Sequence, residues 1–353
     1  MTTNRDPFVP GHEAVGTIVA LGESAKGLKI GQRVGVGWSA YSCLHCHECL
    51  TGDHNLCPES QGTIVGRYGG FADRLRVQWL WARPLPDSLD IAKAGPLFCG
   101  GVTVFSPLLQ HNLPPTARVG VIGIGGLGHM ALQFANKWGY EVHAFTTSDS
   151  KEEEARKLGT HQVHNTKRDG VLKEIAGSLD LIISTINVPL DIPGLLATLA
   201  PKGVIHLVGS VPEPMQLSAR GLIAGQKSVA GSPVGSPSAI EQTLTFSARH
   251  SIARELTKID QTFASATFHR FRELIKIDQT FASATFHRFL GMWFVNGRFC
   301  DGSFCCKIVL RLGEYRALQE CNLSAPIVFG LLKHPALGVS KHRESFFGYL
   351  CKP

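Results

Sequence analysis

The stretch "ARVGVIGIGGLGHMALQFANKWG" at residues 117–139 constrains the fold of this chain more than any other. It contains an apolar run, a G-x-G-x-x-G turn and an amphipathic segment that ends at a glycine. A glycine-rich turn between a buried strand and a helix predicts a βαβ unit that binds a dinucleotide, with the pyrophosphate at the helix N-terminus. A glycine-rich turn without a ligand is the alternative. The predicted contact residues are Gly123, Gly125, Gly126, Leu127 and Gly128.

Apolar runs and helical segments continue to alternate after this unit. The predicted strands are EVHAFTT (141–147), LDLIISTI (179–186) and VIHLVGS (204–210), and the predicted helices are SKEEEARKLG (150–159) and IPGLLATLAPKG. Continuously apolar strands joined by helices indicate a parallel sheet that is covered on both faces. The sequence therefore predicts an α/β fold, with a doubly wound Rossmann sheet over residues 107–252.

The composition of residues 1–106 indicates a different kind of domain. Short alternating runs such as AVGTIVALG (14–22) are separated by turns rich in glycine and proline, which is typical of a β-rich domain. The chain has 353 residues, 44% of them apolar and 18% charged, so two globular domains are expected. It has no run of ~18 apolar residues that would suggest a membrane span. Since no signal-like segment is evident at the N-terminus either, we expect a cytoplasmic protein without a membrane partner.

The net charge of +7 is distributed unevenly. Residues 253–353 contain 14 Lys and Arg against 8 Asp and Glu, which gives +6 and leaves +1 for residues 1–252. Because the basic residues form neither a Lys/Arg run nor an aromatic-spaced basic motif, we expect no nucleic-acid partner. The same tail repeats an 18-residue segment, at 254–271 and 272–289, and a single repeat is too short for a solenoid. We expect this aberrant tail to be poorly ordered and to add no chemistry.

Four cysteines within CLHCHECLTGDHNLC form the strongest local pattern. Cys43, Cys46, Cys49 and Cys57 have C-x2-C-x2-C-x7-C spacing, and four thiolates this close together can surround one tetrahedral zinc ion. Four protein ligands leave no open position, so the predicted site is structural and stabilises a lobe with few apolar residues. Four reduced cysteines without a metal are the alternative.

The residues after the second predicted strand bear on the choice of dinucleotide. An NAD site places Asp or Glu about 20 residues after the glycine-rich turn, where it binds the ribose hydroxyls. This chain has AFTTSDSK there, and the hydroxyls of Thr147 and Ser148 with the cation of Lys151 suit a 2′-phosphate. Asp149 favours NAD instead, and Thr147 and Ser148 are also suitable caps for the following helix. NADP(H) is therefore the preferred prediction over NAD(H).

Three further residues are suitable ligands for a second, catalytic zinc ion. His12 and Glu13 are adjacent near the start of the chain, and Cys99 lies in PLFCGGVTVFSP. A catalytic zinc ion has three protein ligands and keeps one position open for water or substrate. A single histidine in a loop is usually solvated, and a cysteine before two glycines is usually a packed apolar residue. The residues alone leave both interpretations open.

Taken in order, PGHEAVG, the four-cysteine lobe, AGPLFCGGVTVFSPL and GVIGIGGLGHMALQFA resemble the zinc-dependent medium-chain alcohol dehydrogenases over residues 7–252. The resemblance is in particular to the branch of cinnamyl alcohol dehydrogenases and NADPH-dependent aldehyde reductases. It implies a partial GroES-like catalytic domain at residues 1–106, next to the Rossmann domain. It also implies reversible hydride transfer between NADP(H) and a primary alcohol/aldehyde pair, and a homodimer.

The resemblance implies roles for individual residues. His12 and Cys99 match ligands of the catalytic zinc ion, and Glu13 matches an acid that approaches this metal during ligand exchange. Thr103 matches a contact on the nicotinamide side. The remaining matches are the four cysteines of the structural zinc site and the 2′-phosphate residues Thr147, Ser148 and Lys151.

The chain also departs from the family at its two ends. In the family, a Cys-His-Ser/Thr-Asp motif upstream of the Gly-His-Glu stretch supplies the first ligand of the catalytic zinc ion. This sequence begins at Met1, after that motif, so the first Cys ligand is expected to be missing. The alternative to an active enzyme is therefore a catalytically impaired remnant that binds NADP and zinc, or a misassembled translation of such an enzyme.

Overall fold

The computed structural model describes residues 9–252 and the strand Leu310–Leu312. The predictions for the repeated segments at 254–271 and 272–289 lie outside the described residues. The strands within the described part are β1 (Ala14–Thr17), β2 (Arg33–Val36), β3 (Ser39–Tyr41), β4 (Gln61–Gly62), β5 (Arg83–Pro84), β6 (Arg118–Ile122), β7 (Glu141–Thr146), β8 (Gln162–Asn165), β9 (Leu179–Ser184), β10 (Leu199–Leu207), β11 (Ser228–Gly231) and β12 (Leu310–Leu312).

The helices of the same part are mostly short. They are α1 (His47–Leu50), α2 (Ile91–Ala94), α3 (Gly100–His111), α4 (Gly126–Trp138), α5 (Glu152–Lys157), α6 (Val171–Glu174), α7 (Ile192–Thr198), α8 (Ala219–Ile223) and α9 (Pro237–His250). Turns of 3₁₀ helix lie at His54–Leu56, Trp79–Trp81, Gly95–Phe98 and Asp149–Lys151.

Six parallel strands form the central sheet, in the order β11-β10-β9-β6-β7-β8. Its central strands are almost completely buried, as their continuous apolar runs predict. β6 is flanked by β7 on one side and β9 on the other, so the strand order reverses at β6. The glycine-rich turn follows β6 directly, at the point where ligands bind in doubly wound sheets. The predicted Rossmann fold is confirmed.

The end of one predicted helix is wrong. The segment IPGLLATLAPKG was expected to be helical, but α7 ends at Thr198 and β10 begins with Leu199. The register between β10 and β9 shifts between Leu199 and Val204. Pro201 explains the boundary, since the residue before a proline avoids helical backbone angles and proline has no N–H to donate.

The first part of the described chain is rich in β-structure but much less regular. A four-stranded sheet has the order β12-β1-β2-β5, and β3 pairs with β4 in a two-stranded sheet. β1 to β5 have only two to four residues each. β12 pairs in parallel with β1, so three residues of the predicted tail extend this sheet. The predicted boundary between residues 106 and 107 falls inside α3, which continues across it.

One apolar cluster joins the two parts of the described chain. Val15 and Trp81 from the first part pack in the same core as α3, α4, β6 and α9. Within this core, the ring of Phe105 on α3 lies 5.1 Å from that of Phe134 on α4 and 5.2 Å from that of Phe246 on α9. Aromatic pairs at these separations stabilise packing beyond their buried area. Helix α3 is therefore fixed against α4, the helix that follows the glycine-rich turn.

No single helix among the described residues has both the length and the apolar composition needed to span a membrane. The consecutive helical segments Ile91–Phe98 and Gly100–His111 meet that criterion only when taken together, across a bend of 55°.

Candidate active site

His12, Glu13 and Cys99 lie together although they are far apart in the sequence. Nε2 of His12 is 3.2 Å from Sγ of Cys99, and the potential ligand atoms of all three residues lie within 4.8 Å of one another. All three side chains are buried. An imidazole, a carboxylate and a thiolate are the donors that zinc prefers, and their spacing fits a single ion. The residues present therefore fit the predicted catalytic zinc site.

Backbone hydrogen bonds hold the segment that carries His12. The N–H of Gly69 donates to the carbonyl of Val9 at 2.7 Å, and the N–H of Phe71 donates to the carbonyl of Pro10 at 2.9 Å. The imidazole of His12 also packs edge-on against Trp38, with 5.3 Å between the ring centroids. The imidazole orientation is therefore set by contacts with residues outside its own segment.

Cys99 is positioned by close contact between its own segment and Gly37, the residue after β2. It precedes α3, and its carbonyl accepts a hydrogen bond from the N–H of Thr103 at 2.9 Å. A Cβ atom on Gly37 would overlap the carbonyl oxygen of Phe98, so only glycine permits this approach. Thr103, predicted to contact the nicotinamide side, is buried one turn into α3.

The four cysteines of the predicted structural site form one cluster. Their sulfur atoms all lie within 4.8 Å of one another, and the sulfurs of Cys43 and Cys49 are 3.9 Å apart. Zinc–sulfur bonds of about 2.3 Å in tetrahedral geometry place two sulfurs about 3.8 Å apart. Hydrogen bonds from the backbone N–H groups of His45 and then Cys46 lower the pKa of Cys43 to about 7, despite an opposing effect of desolvation. This thiol therefore ionises readily near neutral pH, which fits zinc binding.

The glycine-rich turn is tightly packed where β6 leads into α4. A Cβ atom on Gly128 would overlap the carbonyl oxygen of Gly123. The hydroxyl of Thr185, which follows β9, donates to the carbonyls of Ile122 at 2.8 Å and Gly123 at 3.2 Å. These contacts fix the turn so that the first N–H groups of α4 are available to a phosphate. Helix α4 begins at Gly126, within the glycine-rich turn itself.

The predicted 2′-phosphate residues lie at the same edge of the sheet as the glycine-rich turn. Thr147 and Ser148 follow β7, which pairs directly with β6, and Thr147 is exposed. Ser148 precedes the turn Asp149–Lys151 but makes no side-chain capping bond, so the helix-cap alternative gains no support. The carboxylate of Asp149, the residue that favoured NAD, accepts a hydrogen bond from Asn165 at 2.7 Å.

The sequence did not reveal two polar contacts near this edge. Glu154 on α5 pairs with Lys151, and its other carboxylate oxygen lies 2.8 Å from Nε2 of His129 on α4. The spacing of three residues between Lys151 and Glu154 is a signal that could have predicted the first pair. Thr185 was missed as well, although its position at the carboxyl end of a strand beside β6 points to the ligand crevice.

Similarity to known proteins agrees with this geometry. Residues 1–87 match the family model of the alcohol dehydrogenase GroES-like domain, and residues 126–249 match that of zinc-binding dehydrogenases. An aldehyde reductase of Synechocystis sp. is 50% identical over 246 residues, which are 70% of this chain and 73% of that protein. The chain belongs to the zinc-dependent medium-chain alcohol dehydrogenase family.

Two solved structures of the family resemble this dehydrogenase over most of its length. A cinnamyl alcohol dehydrogenase from Sorghum bicolor has a TM-score of 0.70 and 36% identity, covering 76% of this chain and 79% of that one. A cinnamyl alcohol dehydrogenase from Helicobacter pylori, solved in complex with NADP(H), has a TM-score of 0.66 and 30% identity, covering 72% and 75%.

These similarities confirm the main predictions from the sequence. The family, the combination of a GroES-like and a Rossmann fold, and the oxidoreduction of alcohols and aldehydes with zinc and a dinucleotide agree with the matches. The matches favour a dehydrogenase over the alternative of a non-catalytic remnant. The roles of the individual residues and the domain boundaries stay predictions.

Proposed function

We propose that this dehydrogenase reduces aldehydes with NADPH and, in reverse, oxidises primary alcohols. The observation that carries the proposal is the buried cluster of His12, Glu13 and Cys99 at the start of α3. Because α3 packs against α4, this cluster is fixed relative to the helix that follows the glycine-rich turn. A metal-binding cluster together with a dinucleotide site is the combination that zinc-dependent carbonyl reduction uses.

Each part of the site has a distinct task in this reaction. His12 and Cys99 would hold the catalytic zinc ion, and Glu13 is close enough to the same point to take part in ligand exchange. When bound, the zinc ion polarises the carbonyl oxygen and NADPH supplies the hydride. Burial of the three side chains limits the access of water, which strengthens electrostatic interactions there. The four cysteines of the lobe would hold the structural zinc ion.

NADPH is proposed over NADH because of the residues that follow β7. Thr147, Ser148 and Lys151 offer two hydroxyls and a cation at the carboxyl edge of the sheet, next to the glycine-rich turn. One carboxylate oxygen of Asp149 accepts a hydrogen bond from Asn165, just as Lys151 pairs with Glu154, so neither contact decides between the two dinucleotides. The NADP(H) complex of the Helicobacter pylori relative supports the same choice.

We also propose a homodimer in a reducing compartment such as the cytoplasm. β11 is an edge strand of the six-stranded sheet, and Ser228 and Gly231 at its two ends are exposed, so its backbone could pair with a second copy. The five cysteines of the described residues all have free thiols, which suits metal binding in a reducing environment. Light scattering of the purified chain distinguishes a dimer from a monomer.

The experiment that tests the proposed function is a steady-state assay of the full chain purified with zinc. NADPH absorbance is followed with cinnamaldehyde, benzaldehyde and butanal as substrates, and the zinc-stripped protein serves as control. We expect aldehyde-dependent oxidation of NADPH that is lost on stripping and restored by zinc. NADPH oxidation that does not depend on added aldehyde, or none at all, would contradict the proposal.

A further inference from the structure

A buried histidine connects helix α3 to the loop that follows β11. His206 lies on β10 and is completely buried. Its Nδ1 is 2.9 Å from Nε2 of His111, the last residue of α3. Its Nε2 is 2.9 Å from the hydroxyl of Ser232, the first residue after β11. Three polar side chains from three different elements therefore form one continuous hydrogen-bonded chain.

The position of Ser232 in the sheet points to the nicotinamide half of the dinucleotide. β6 and β7, with the glycine-rich turn and Lys151, form the half of the sheet that receives the adenosine phosphates. β9, β10 and β11 form the other mononucleotide-binding half, and ligands of such sheets lie beyond the carboxyl ends of the strands. Ser232 follows the carboxyl end of β11 and is only partly buried.

The loop that contains Ser232 is also tied to both zinc-binding regions. The hydroxyl of Ser106 on α3 donates to the carbonyl of Val234 at 3.1 Å, and α3 begins directly after Cys99. The side-chain amide of Asn55, in the four-cysteine lobe, donates to the carbonyl of Pro233 at 3.3 Å. The nicotinamide has to lie between the glycine-rich turn and the His12 and Cys99 cluster. The loop that contains Ser232 is held against α3, the helix that begins directly after Cys99 of that cluster.

The protonation state of His206 determines whether the O–H of Ser232 donates to His206 or is available to another acceptor. Burial, with a smaller effect of His111, lowers the pKa of His206 to about 4, so the imidazole is neutral near pH 7. Within the described residues, His111 is the one titratable group that acts on His206 electrostatically, and no carboxylate does so. A neutral imidazole donates through one nitrogen and accepts through the other.

Two arrangements of the hydrogen bonds between His111, His206 and Ser232 follow from this rule. If His111 donates to Nδ1 of His206, then Nε2 donates to Ser232, whose own O–H is free to donate into the crevice. In the reverse arrangement, Nδ1 of His206 donates to His111, and the O–H of Ser232 donates to Nε2 of His206. The O–H is then not available to a ligand in the crevice. Burial lowers the pKa of His111, so this imidazole is also neutral near pH 7 and can donate to or accept from His206. A carboxamide oxygen in the crevice favours the first arrangement, because it accepts the O–H of Ser232.

We propose that His206 is a positioning residue for the cofactor, which orients the hydroxyl of Ser232 so that it donates a hydrogen bond to the carboxamide of the bound nicotinamide. The inference rests on the proposed function, because it requires a nicotinamide dinucleotide in the crevice. It assigns His206 no contact with the reacting atoms.

The chain contains a matched control for the effect of a buried histidine. His164 on β8 is also buried, and its Nε2 lies 3.0 Å from Nδ1 of His143 on β7. Both members of this pair are on strands of the adenosine half. Replacement of His164 therefore disturbs a similar buried pair without involving the loop at Ser232.

The test measures the affinity of the full chain for two probes by fluorescence titration. The probes are NADPH and 2′-phospho-ADP-ribose, which lacks the nicotinamide. The variants are His206→Leu, His206→Gln, Ser232→Ala and the double variant of His206→Leu with Ser232→Ala, with His164→Leu as control. Glutamine can place an amide near the position of Nε2, so it retains a hydrogen-bonding group for Ser232.

We expect His206→Leu and Ser232→Ala each to weaken NADPH binding by about 10-fold, the size of one lost hydrogen bond. Binding of 2′-phospho-ADP-ribose should be unchanged in both. The double variant should bind NADPH no more weakly than either single variant, since both remove the same contact. His206→Gln should recover most of the affinity, and His164→Leu should bind NADPH like the wild type.

Three results would overturn the inference. Wild-type NADPH affinity in Ser232→Ala, a variant that leaves the core intact, would remove its basis. Additive losses in the double variant would mean that His206 does not act through Ser232. Equal losses for both probes would indicate a general structural effect. If the wild-type chain binds neither probe, both the proposed function and the inference fail. If it binds both probes, the results for the variants test the inference alone.

Discussion

Nε2 of His12 lies 3.2 Å from Sγ of Cys99, although 87 residues separate them in the chain. His12 is held by backbone contacts to the segment around Gly69, and Cys99 by the close approach of Phe98 to Gly37. The candidate catalytic centre is therefore assembled by tertiary contacts within the first domain and at the start of α3. Its integrity depends on packing between distant segments, which cannot be read from the motif around His12 or from the motif around Cys99.

Gly128→Ala should strongly impair NADPH binding. The added Cβ atom would overlap the carbonyl oxygen of Gly123, which is backbone and cannot move aside easily. We expect NADPH affinity to fall by at least about 10-fold, with a loss of roughly 1–3 kcal/mol in unfolding free energy. Gly22→Ala is the control, because a Cβ atom there has nothing within 4 Å. Fluorescence titration and thermal unfolding measure both effects, and wild-type NADPH affinity in Gly128→Ala would contradict the turn geometry.

Lys151→Ala should reduce the preference for NADPH over NADH. If Lys151 binds the 2′-phosphate, its loss removes a charge-assisted contact that NADH never makes, so kcat/KM should fall about 10-fold or more for NADPH only. Lys157→Ala is the matched control, since Lys157 on the same helical segment pairs with Glu153 at an exposed position. Steady-state kinetics with both dinucleotides provide the comparison. Equal losses with NADPH and NADH would assign Lys151 another role.

Cys49→Ser should destabilise the four-cysteine lobe. Cys49 is buried within the sulfur cluster, and the lobe has little apolar core to stabilise it without a metal. We expect the loss of one zinc ion and a decrease of about 3 kcal/mol or more in the free energy of unfolding. Thermal unfolding with and without a chelator tests this, because the chelator should lower the Tm of the wild type much more than that of the variant. An unchanged Tm of the wild type in chelator would refute a structural zinc site.

His164→Gln should make the protein more resistant to acid. Burial, followed by the charge of His143, lowers the pKa of His164 to about 4, compared with 6.5 for an ordinary histidine. Between these values the unfolded chain binds a proton that the folded chain does not, so stability is lost as the pH falls from 6.5 towards 4. The shift corresponds to roughly 3 kcal/mol at the acid end.

Urea unfolding at a series of pH values measures this effect. Glutamine retains a hydrogen-bonding amide near His143 but does not titrate, so the variant should lose less stability between pH 6.5 and 4 than the wild type. The same slope in both proteins would show that His164 does not contribute to acid sensitivity.

Local patterns were sufficient to predict the Rossmann part of the fold. The glycine-rich turn at Gly123 to Gly128 and the four-cysteine lobe each lie within a short stretch, so their spacing alone determines which atoms can meet. The end of α7 at Thr198 was predicted too late because an apolar helical period continued past it, while Pro201 and the register shift of β10 ended the helix.

Contacts between distant segments could not be predicted in the same way. The motif around His12 and the segment around Cys99 suggested zinc ligands only through family resemblance, since nothing in their spacing brings them together. The pairing of Glu154 with His129 depends on how α5 packs beside α4, and the chain from His111 through His206 to Ser232 joins three elements. Such contacts arise from tertiary packing, which the hydrophobic periodicity of a local segment does not indicate.

Zinc analysis combined with activity tests the account most directly, on the wild type and on Cys99→Ala. We predict about two zinc ions per chain in the wild type and about one in Cys99→Ala, because the four-cysteine site stays intact. Aldehyde reduction should fall roughly a thousandfold in the variant, while NADPH affinity is unchanged. A Cys99→Ala protein that keeps two zinc ions, or reduces aldehydes at the wild-type rate, would contradict a catalytic zinc site at His12 and Cys99.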